Sequence, residues 1–433
     1  MGKHADLLAR HKAVLPAWMA LYYQEPIALV RGDGRRVWDA EGKEYLDFFA
    51  GILTNMLGYN LPEVTEAIQE QAAKILHSST LYLIESQIEL AEKLAELSGI
   101  PDAKVFFANS GTEANDAAMM MATTNRGSNQ VLAMRNSYHG RSFAAVSLTG
   151  NRSWSPTSMS PLNVTYIHGG YKLRSPFGHL PDDEFIAACV ADLRDMLDVA
   201  TSGQVAALIA EPIQGVGGFV TPPDGFFGAL KEVLDETGIL YISDEVQTGW
   251  GRTGENFWGY QAHDLTPDLI TFAKGIANGM TMGGVIGRAD VIDSIAANSI
   301  STFGGNPLST AAALATLDYV ERHDVQTNAY KVGNRLRTGL DHLAEEHAIV
   351  GEVRGKGLMV GVELVQPGGI EPNAAAASSI LEAARERGLL VGKGGLHGNA
   401  LRIAPPLTLT ESEADEGLAI LTEAIAAAAV DAP

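Results

Sequence analysis

The chain has 433 residues, of which 46% are hydrophobic and 19% are charged, as is typical of a soluble globular protein. This length exceeds what a single hydrophobic core usually supports, so two domains, or one large domain with a smaller lobe, are expected. The formal net charge of −21 argues against nucleic acid or an anionic membrane surface as a partner.

The first predicted element is a small β-meander over residues 28–49, ALVRGDGRRVWDAEGKEYLDFF. Asp33-Gly34 and Glu41-Gly42 are turn dipeptides that separate short runs of β-prone residues. Further along, the pattern changes to helices at 62–76 and 84–98 and then to apolar runs separated by helical or loop segments.

Five of these apolar runs are short, mostly unbroken and bounded by turn residues. They are 104–108, 130–134, 205–210, 239–243 and 269–273. Such runs are typical of strands buried on both faces. Their alternation with helices over about 200 residues predicts a mostly parallel α/β sheet.

The last part of the chain, after residue 306, is predicted to be mainly helical and to add one further strand–helix region. Helices are expected at 308–322, 326–348, 373–387 and 411–429, with strands near 351–364 and at 400–404. We interpret this region as a smaller α+β domain that also includes the N-terminal meander. The expected division is 1–64 and 311–433 for the small domain and 65–310 for the large domain.

In open α/β sheets a ligand lies beyond the carboxyl ends of the strands, so the residues after each strand are informative. Ser110, Gly111 and Thr112 follow 104–108, where the chain enters a helix. Backbone N–H groups at a helix start, with two hydroxyls and a glycine, form a seat for phosphate. The alternative is a plain helix cap with Glu113 in the first turn. No dinucleotide fingerprint or P-loop motif occurs in the sequence.

The segment after 130–134 is RNSYHGRSF. Tyr138 and His139 could stack on a flat ligand, and Arg141 could bind a carboxylate. The alternative is a turn at Gly140 with exposed polar residues.

Two charged residues follow apolar strands. Asp244 comes after 239–243 and needs a cationic or N–H partner at that depth, such as a protonated pyridine nitrogen, an arginine or a helix start. Lys274 comes after 269–273 and is followed by glycines. It is either a surface lysine at a strand end or a neutral, nucleophilic amine suited to Schiff-base chemistry.

Together these residues match the needs of pyridoxal 5'-phosphate (PLP). A lysine binds its aldehyde, an acid keeps its ring nitrogen protonated, and a loop holds its phosphate. No metal is expected, because the histidines are scattered and no H-E-x-x-H motif occurs.

With these residues assembled, the sequence resembles the class III (subgroup II, ω-type) aminotransferases over about residues 25–425. The resemblance is carried by NSGTEAN, YHGRS, EPIQGVGG, SDEVQTGWGRTG, FAKGIANG, TFGGNP, VRGKGLMVGVEL and LRIAPPLTLT. It implies the PLP-dependent transferase fold type I. That α/β fold has a large domain on a mostly parallel seven-stranded sheet and a smaller α+β domain. It also implies a homodimer with active sites at the interface.

The resemblance further implies roles for the matching residues. Lys274 binds the cofactor covalently and moves the proton, and Asp244 pairs with the pyridine nitrogen. Tyr138 and Val246 lie on opposite faces of the ring, and Gln247 reaches its phenolic oxygen.

The phosphate is held, by the same resemblance, by Gly111 and Thr112 and by Thr302 of the partner subunit. Glu211 is expected near the site, beside Arg141, with no assigned step. Trp18 and the stretch from Leu53 to residue 55 are expected to line the pocket.

Substrate recognition combines features of two branches of the family. Arg402 in LRIAPP matches the arginine that binds the carboxylate of the 2-oxo acid. Ornithine and 4-aminobutyrate transaminases mask this arginine with a glutamate, but this chain has Val216 there. In this it resembles the alanine–glyoxylate and β-alanine–pyruvate (3-amino-acid–pyruvate) branch, whose acceptors are small. Arg141 in HGR is instead typical of the ornithine, acetylornithine and 4-aminobutyrate enzymes.

The expected function is therefore PLP-dependent transfer of an amino group by a ping-pong mechanism. The donor is an ω- or β-amino acid (β-alanine, 3-aminoisobutyrate or 4-aminobutyrate), and the acceptor is pyruvate or glyoxylate. Alternatives are an ornithine, acetylornithine or 4-aminobutyrate transaminase that uses 2-oxoglutarate, a mutase or decarboxylase, and a non-catalytic homologue.

A cytoplasmic location is expected. Cys189 is the only cysteine, which excludes an intrachain disulfide and fits a reducing compartment. The N-terminal residues contain no apolar signal core, and no run of 18 apolar residues occurs.

Overall fold

A computed structural model of the chain describes residues 2–19 and 21–430. The helices are α1 (Lys3–Val14), α2 (Ala50–Leu53), α3 (Pro62–Lys74), α4 (Glu85–Leu97), α5 (Gly111–Arg126), α6 (Phe143–Ser147), α7 (Asp182–Ala200), α8 (Phe226–Thr237), α9 (Ala289–Ile292), α10 (Pro307–Arg322), α11 (Val325–Glu346), α12 (Ala374–Glu386) and α13 (Glu411–Val430). The strands are β1 (Leu29–Asp33), β2 (Arg36–Asp39), β3 (Glu44–Asp47), β4 (Ala103–Ala108), β5 (Gln130–Met134), β6 (Asn163–Ile167), β7 (Val205–Ala210), β8 (Leu240–Asp244), β9 (Leu269–Phe272), β10 (Gly283–Arg288), β11 (Val350–Lys356), β12 (Met359–Leu364), β13 (Leu389–Leu390), β14 (Gly392–Gly394) and β15 (Ala400–Ile403).

The central sheet has seven strands in the order β4-β10-β9-β8-β7-β5-β6, and only β10 runs antiparallel to its neighbours. Successive residues of one strand face opposite sides, as the two-residue period of a strand requires. In β5, Val131 and Ala133 pack into the cluster that includes α5, whereas Leu132 and Met134 pack into the cluster that includes α7 and α8. The strands are unbroken apolar runs because both faces of the sheet are covered by helices.

The predicted α/β fold with a mostly parallel seven-stranded sheet is confirmed. All five apolar runs lie in this sheet, within one residue of the predicted bounds. The remaining two strands were not located from the sequence. β6 is an edge strand with few buried residues, and β10 carries three glycines, so neither has the apolar pattern of a buried strand.

Two smaller sheets complete the chain. One has the order β1-β2-β3-β13, so the predicted N-terminal meander pairs with a strand from the C-terminal region. The other has the order β11-β12-β15-β14. We propose the domain division stated above, although residues 64 and 310 lie within helices α3 and α10 rather than in linkers.

The carboxyl ends of β4, β5, β7, β8 and β9 meet at one edge of the central sheet. Their loops therefore converge at a single place, which is where the site forms. None of the helices in the described part of the chain is both long and apolar enough to cross a membrane.

Candidate active site

A cavity of about 310 Å³ lies at this edge of the central sheet. Most of its walls come from the segments that follow the five parallel strands. Its lining residues are Thr54, Asn109, Ser110, Gly111, Thr112, Asn115, Tyr138, His139, Gly140, Glu211, Asp244, Val246, Gln247, Ala273, Lys274, Gly279, Met280, Thr281 and Met282.

Asp244 is the last residue of β8 and is 4% exposed. Its Oδ2 lies 2.8 Å from Asn115 Nδ2 and 2.8 Å from His139 Nδ1, and its Oδ1 accepts the Val246 N–H at 3.2 Å. These donors compensate for the loss of water around a buried carboxylate. They also fix the direction in which the carboxylate faces the cavity.

His139, which is expected to stack on a flat ligand, lines the cavity, is 2% exposed and contacts Asp244 through its imidazole. Its Nε2 has no protein partner within the described residues.

Asn115 was not singled out from the sequence. It lies four residues after Gly111 in helix α5, and this helical spacing places both residues on the face that borders the cavity.

Lys274 follows β9 and begins a short 3-10 turn, Lys274–Ala277, with a φ of +50°. A lysine in the left-handed region is strained, and such strain is concentrated at functional sites. Burial lowers the pKa of the Lys274 amine to about 8, although Asp244 and Glu211 oppose the shift and Arg402 adds to it. A substantial fraction of this amine is therefore neutral and nucleophilic near neutral pH.

The start of α5 forms a second wall of the cavity. Ser110 is the helix cap, because its hydroxyl accepts the Glu113 N–H at 3.2 Å, so the cap predicted as an alternative is present. The N–H groups of Gly111 and Thr112 begin the helix and have no acceptor within it. A Cβ at Gly140 would lie 2.6 Å from the Thr112 hydroxyl, which shows how closely the loop after β5 approaches this helix start.

Glu211 follows β7 and is 4% exposed. Its carboxylate accepts the Tyr138 N–H at 2.9 Å and the Gly215 N–H at 2.8 Å. Burial raises the pKa of Glu211 to about 7, with His139 opposing the shift. Glu211 thus lies at the site, as expected, whereas Arg141 is exposed and is not part of the cavity lining. The expected proximity of these two side chains stays a prediction.

Arg402 is 4% exposed and lies between the rings of Phe49 and Phe219, at 5.0 and 4.9 Å from their centroids. Its Nη2 donates to Gln247 Oε1 at 2.9 Å, and its Nε has no protein partner within the described residues. Burial lowers the pKa of Arg402, while Tyr22 and Glu211 raise it. Gln247 lines the cavity, so its amide connects the cavity to a buried guanidinium.

Two residues expected to line the pocket, Trp18 and Leu53, are not part of the cavity lining in the single chain. Trp18 is 76% exposed. Thr302, which is expected to act from the partner subunit, is exposed on the surface. Leu53 is 3% exposed and packs in a core cluster with Phe49 and Phe219, whereas its neighbour Thr54 lines the cavity. Leu53 is thus a core residue because its apolar side chain turns inward from the strained turn α2.

Residues 279–282 also line the cavity, and no sequence signal identified them beyond the glycines that follow Lys274. They precede β10, the antiparallel strand that was not predicted.

Residues 19–425 match the sequence profile of the family Aminotransferase class-III. The chain belongs to the class-III aminotransferase family. It is 40% identical over 419 residues to the mitochondrial alanine–glyoxylate aminotransferase 2 homolog 2 of Arabidopsis thaliana, covering 96% of this chain and 86% of the relative.

Other relatives of this class-III aminotransferase have different names. An acetylornithine aminotransferase of Caldanaerobacter subterraneus is 39% identical over 94% of this chain and 96% of its own length. An alanine/serine racemase of Pyrococcus horikoshii is 38% identical over 97% of this chain and 90% of its own length. The solved structure of an amine transaminase from an uncultivated Pseudomonas species, in its PLP-bound form, has a TM-score of 0.89 and 32% identity, covering 97% of this chain and 98% of that one.

Class-III aminotransferases are PLP-dependent enzymes, and the residues of the cavity fit this cofactor. The amine of the half-buried Lys274, with a lowered pKa, faces the same cavity as the buried carboxylate of Asp244. The free N–H groups of a helix start, at Gly111, border that cavity as well. Together they provide a nucleophile for an aldehyde, a partner for a pyridinium and donors for a phosphate.

We predict that Lys274 in the cofactor-free protein reacts with an amine-specific reagent with a midpoint at about pH 8, because only the neutral amine is nucleophilic. Competitive labelling followed by peptide mass spectrometry measures this midpoint. A lysine in an unstructured peptide is the control, with its ordinary value of 10.5. A midpoint at the peptide value would contradict the effect of burial.

Proposed function

We propose that the chain is an aminotransferase that moves an amino group from an ω- or β-amino acid to pyruvate or glyoxylate by a ping-pong mechanism. The observation that carries this proposal is the pair of Lys274 and Asp244, which end adjacent parallel strands and border one cavity. The pair supplies an amine and an acid for opposite ends of one small ring.

When bound, PLP supplies an aldehyde and an electron-withdrawing ring. The Lys274 amine, largely neutral above about pH 8, can take the proton that leaves the amine-bearing carbon of the donor and return it later. Lys274 lines the cavity, so its amine lies where the donor is proposed to bind.

Asp244 is proposed to hold the protonated ring nitrogen. Its carboxylate remains directed at the cavity because His139 and Asn115 donate to Oδ2. Both donors are nearly fully buried, so little water reaches the carboxylate. Its interaction with the charged ring nitrogen is therefore stronger than it would be in water. Tyr138 and Val246, which line the cavity, are proposed to cover the two faces of the ring.

The phosphate is proposed to bind at the start of α5, at Ser110, Gly111 and Thr112, with Thr302 of the partner subunit. Anions are stabilised at a helix start by free N–H groups and by the helix dipole. Glu211 is proposed to hold Tyr138 in place through the Tyr138 N–H.

Carboxylate recognition is proposed for Arg402. A planar guanidinium binds a carboxylate through two parallel hydrogen bonds, and the unpartnered Nε and the Gln247-bound Nη2 provide such a pair of donors. Val216 is 9% exposed and places no acid near this arginine. This arrangement supports a small 2-oxo acid that reaches Arg402 directly. Arg141, which is exposed, is a candidate for the carboxylate of a longer donor.

Two relatives support different alternatives. The acetylornithine aminotransferase supports an ornithine-type enzyme that uses 2-oxoglutarate. The alanine/serine racemase supports a reaction in which Lys274 returns the proton without release of an oxo acid. The intact Lys274–Asp244 pair argues against a non-catalytic homologue.

We also propose a homodimer in the cytoplasm. The segments 75–83 and 300–303 carry large apolar side chains that are exposed in the single chain, including Leu83 at 93% and Phe303 at 59%. The two segments are adjacent, because the rings of His77 and Phe303 are 4.9 Å apart. An apolar surface of this kind fits a second copy of the chain, and Thr302 lies on it.

We expect Lys274→Ala to abolish both turnover and the visible absorbance of the covalently bound cofactor. Asp244→Asn should still bind PLP but lose at least ~100-fold in kcat, because the ring nitrogen loses its charge partner. Absorbance spectra and steady-state kinetics measure both effects. Lys104→Ala, at a side chain that is 52% exposed on the surface, is the control and should match the unmodified enzyme. Near-normal turnover in either site variant would disprove the assignment.

We expect pyruvate and glyoxylate to exceed 2-oxoglutarate as acceptors in a competition assay with β-alanine or 4-aminobutyrate as donor. Arg402→Ala should lower kcat/KM for pyruvate by roughly 10- to 200-fold, as expected when a charged hydrogen-bond donor is lost. A preference for 2-oxoglutarate would favour the ornithine-type alternative. Interconversion of L- and D-alanine without stoichiometric oxo acid would favour a racemase.

We expect the purified protein to have the mass of a dimer in light scattering, and Leu83→Asp to shift it towards the monomer with weaker PLP binding. A charge in an apolar interface is costly when it has no partner. Val199→Asp, at another exposed apolar residue, is the matched control and should remain a dimer. A monomeric unmodified protein would refute the proposal.

A further inference from the structure

A buried arginine away from the cavity, Arg354 of β11, binds the backbone of the turn 215–218. Its Nε and Nη2 both donate to the carbonyl oxygen of Gly218, at 3.1 and 2.9 Å. Arg354 is 5% exposed, and its Nη1 donates to Glu363 at 2.6 Å. The guanidinium therefore connects the C-terminal sheet to a turn of the large domain.

Glu363, the partner of Arg354, has several other donors. It is fully buried and also binds Arg174, Tyr171 and Asn399. A buried carboxylate with this many partners does not require Arg354 for charge balance alone. Arg354 also binds Glu352 of its own strand, so its contact with Gly218 is the one by which it reaches the turn.

Arg354 and Arg402 lie in one row across the C-terminal sheet. Arg354 is paired with Gly361 of β12, and Gly361 is paired with Arg402 of β15. Directly opposite residues of antiparallel strands project from the same face, so both arginines face the turn 215–218. The Gly218 carbonyl lies over Gly361, where a Cβ would be only 2.5 Å from its oxygen.

The same turn also contacts the groups that surround Arg402. A Cβ at Gly215 would lie 2.0 Å from Gln247 Nε2, so this glycine lets Gln247 approach the turn and still accept from Arg402. Val216 accepts the Gly395 N–H through its carbonyl at 2.9 Å. The turn thus connects Arg354 at one end of the row to the Gln247–Arg402 pair at the other.

We propose that Arg354 is a positioning residue for carboxylate binding: by holding the Gly218 carbonyl over Gly361, it sets the position of the Arg402 guanidinium relative to Gln247 and the cavity. This inference rests on the proposed role of Arg402 as the carboxylate-binding residue. Arg354 itself contacts no residue of the cavity lining.

The test disturbs the Gly218 contact from two sides in the PLP-loaded enzyme. Arg354→Met removes the two donors, and Gly361→Ala places a methyl group against the Gly218 oxygen. Each change is expected to raise KM for pyruvate about ten-fold or more with kcat changed less than about three-fold, because a small displacement of a binding group weakens substrate positioning. The Kd of propionate, a carboxylate that cannot react, should rise in parallel in a calorimetric titration.

Arg174→Met is the matched control, because Arg174 binds the same Glu363 and makes no contact with the turn. It should leave both the KM and the propionate Kd unchanged. Arg354→Lys retains the charge, and we expect it to lie between Arg354→Met and the unmodified enzyme. It also serves as the test if Arg354→Met does not fold.

Arg402→Ala separates this inference from the proposed function. If Arg402→Ala weakens propionate binding but Gly361→Ala and Arg354→Lys do not, the positioning role of Arg354 is refuted. If Arg402→Ala leaves propionate binding unchanged, the proposed carboxylate site is refuted and the inference with it. Equal effects of Arg174→Met and Arg354→Met would also refute it, because they would indicate general destabilisation of the buried ion pairs.

Discussion

The placement of a half-buried lysine and a buried carboxylate at the ends of adjacent parallel strands is the constraint on which the site depends. Lys274 is held in a strained backbone conformation, and burial lowers its pKa to about 8. Asp244 is buried beside it and is held by Asn115 and His139. Both groups are costly in a protein interior, so their presence in one cavity indicates chemistry rather than stability.

The site is built from segments that are distant in the chain. Asn115 and Asp244 are separated by 129 positions, and Gln247 and Arg402 by 155. The central sheet brings the first pair together, whereas the second pair requires the C-terminal sheet to pack against the loop after β8. Lys274 and Asp244 therefore follow strands of one sheet, whereas the arginine proposed to bind carboxylates belongs to another. Contacts such as that of Arg354 with Gly218 join the two parts. Such an arrangement allows the substrate to differ while the central sheet is kept.

The relatives illustrate that difference. Names that refer to alanine–glyoxylate transfer, acetylornithine transfer and racemisation occur among proteins that are 38% to 40% identical to this chain. The residues proposed to bind the cofactor follow strands of the central sheet. The residues near Arg402, including Val216 and the rings of Phe49 and Phe219, lie in turns and loops that can vary without disturbing that sheet.

The sequence by itself determined the parallel sheet, its five apolar strands and the placement of Lys274, Asp244 and Gly111 at their ends. These features depend on local patterns, namely unbroken apolar runs and the residues that follow them. Only the tertiary structure decided that His139 holds Asp244, that Glu211 binds the Tyr138 backbone, and that Leu53 packs in the core. Those contacts join segments far apart in the chain, and no local periodicity encodes which of them meet.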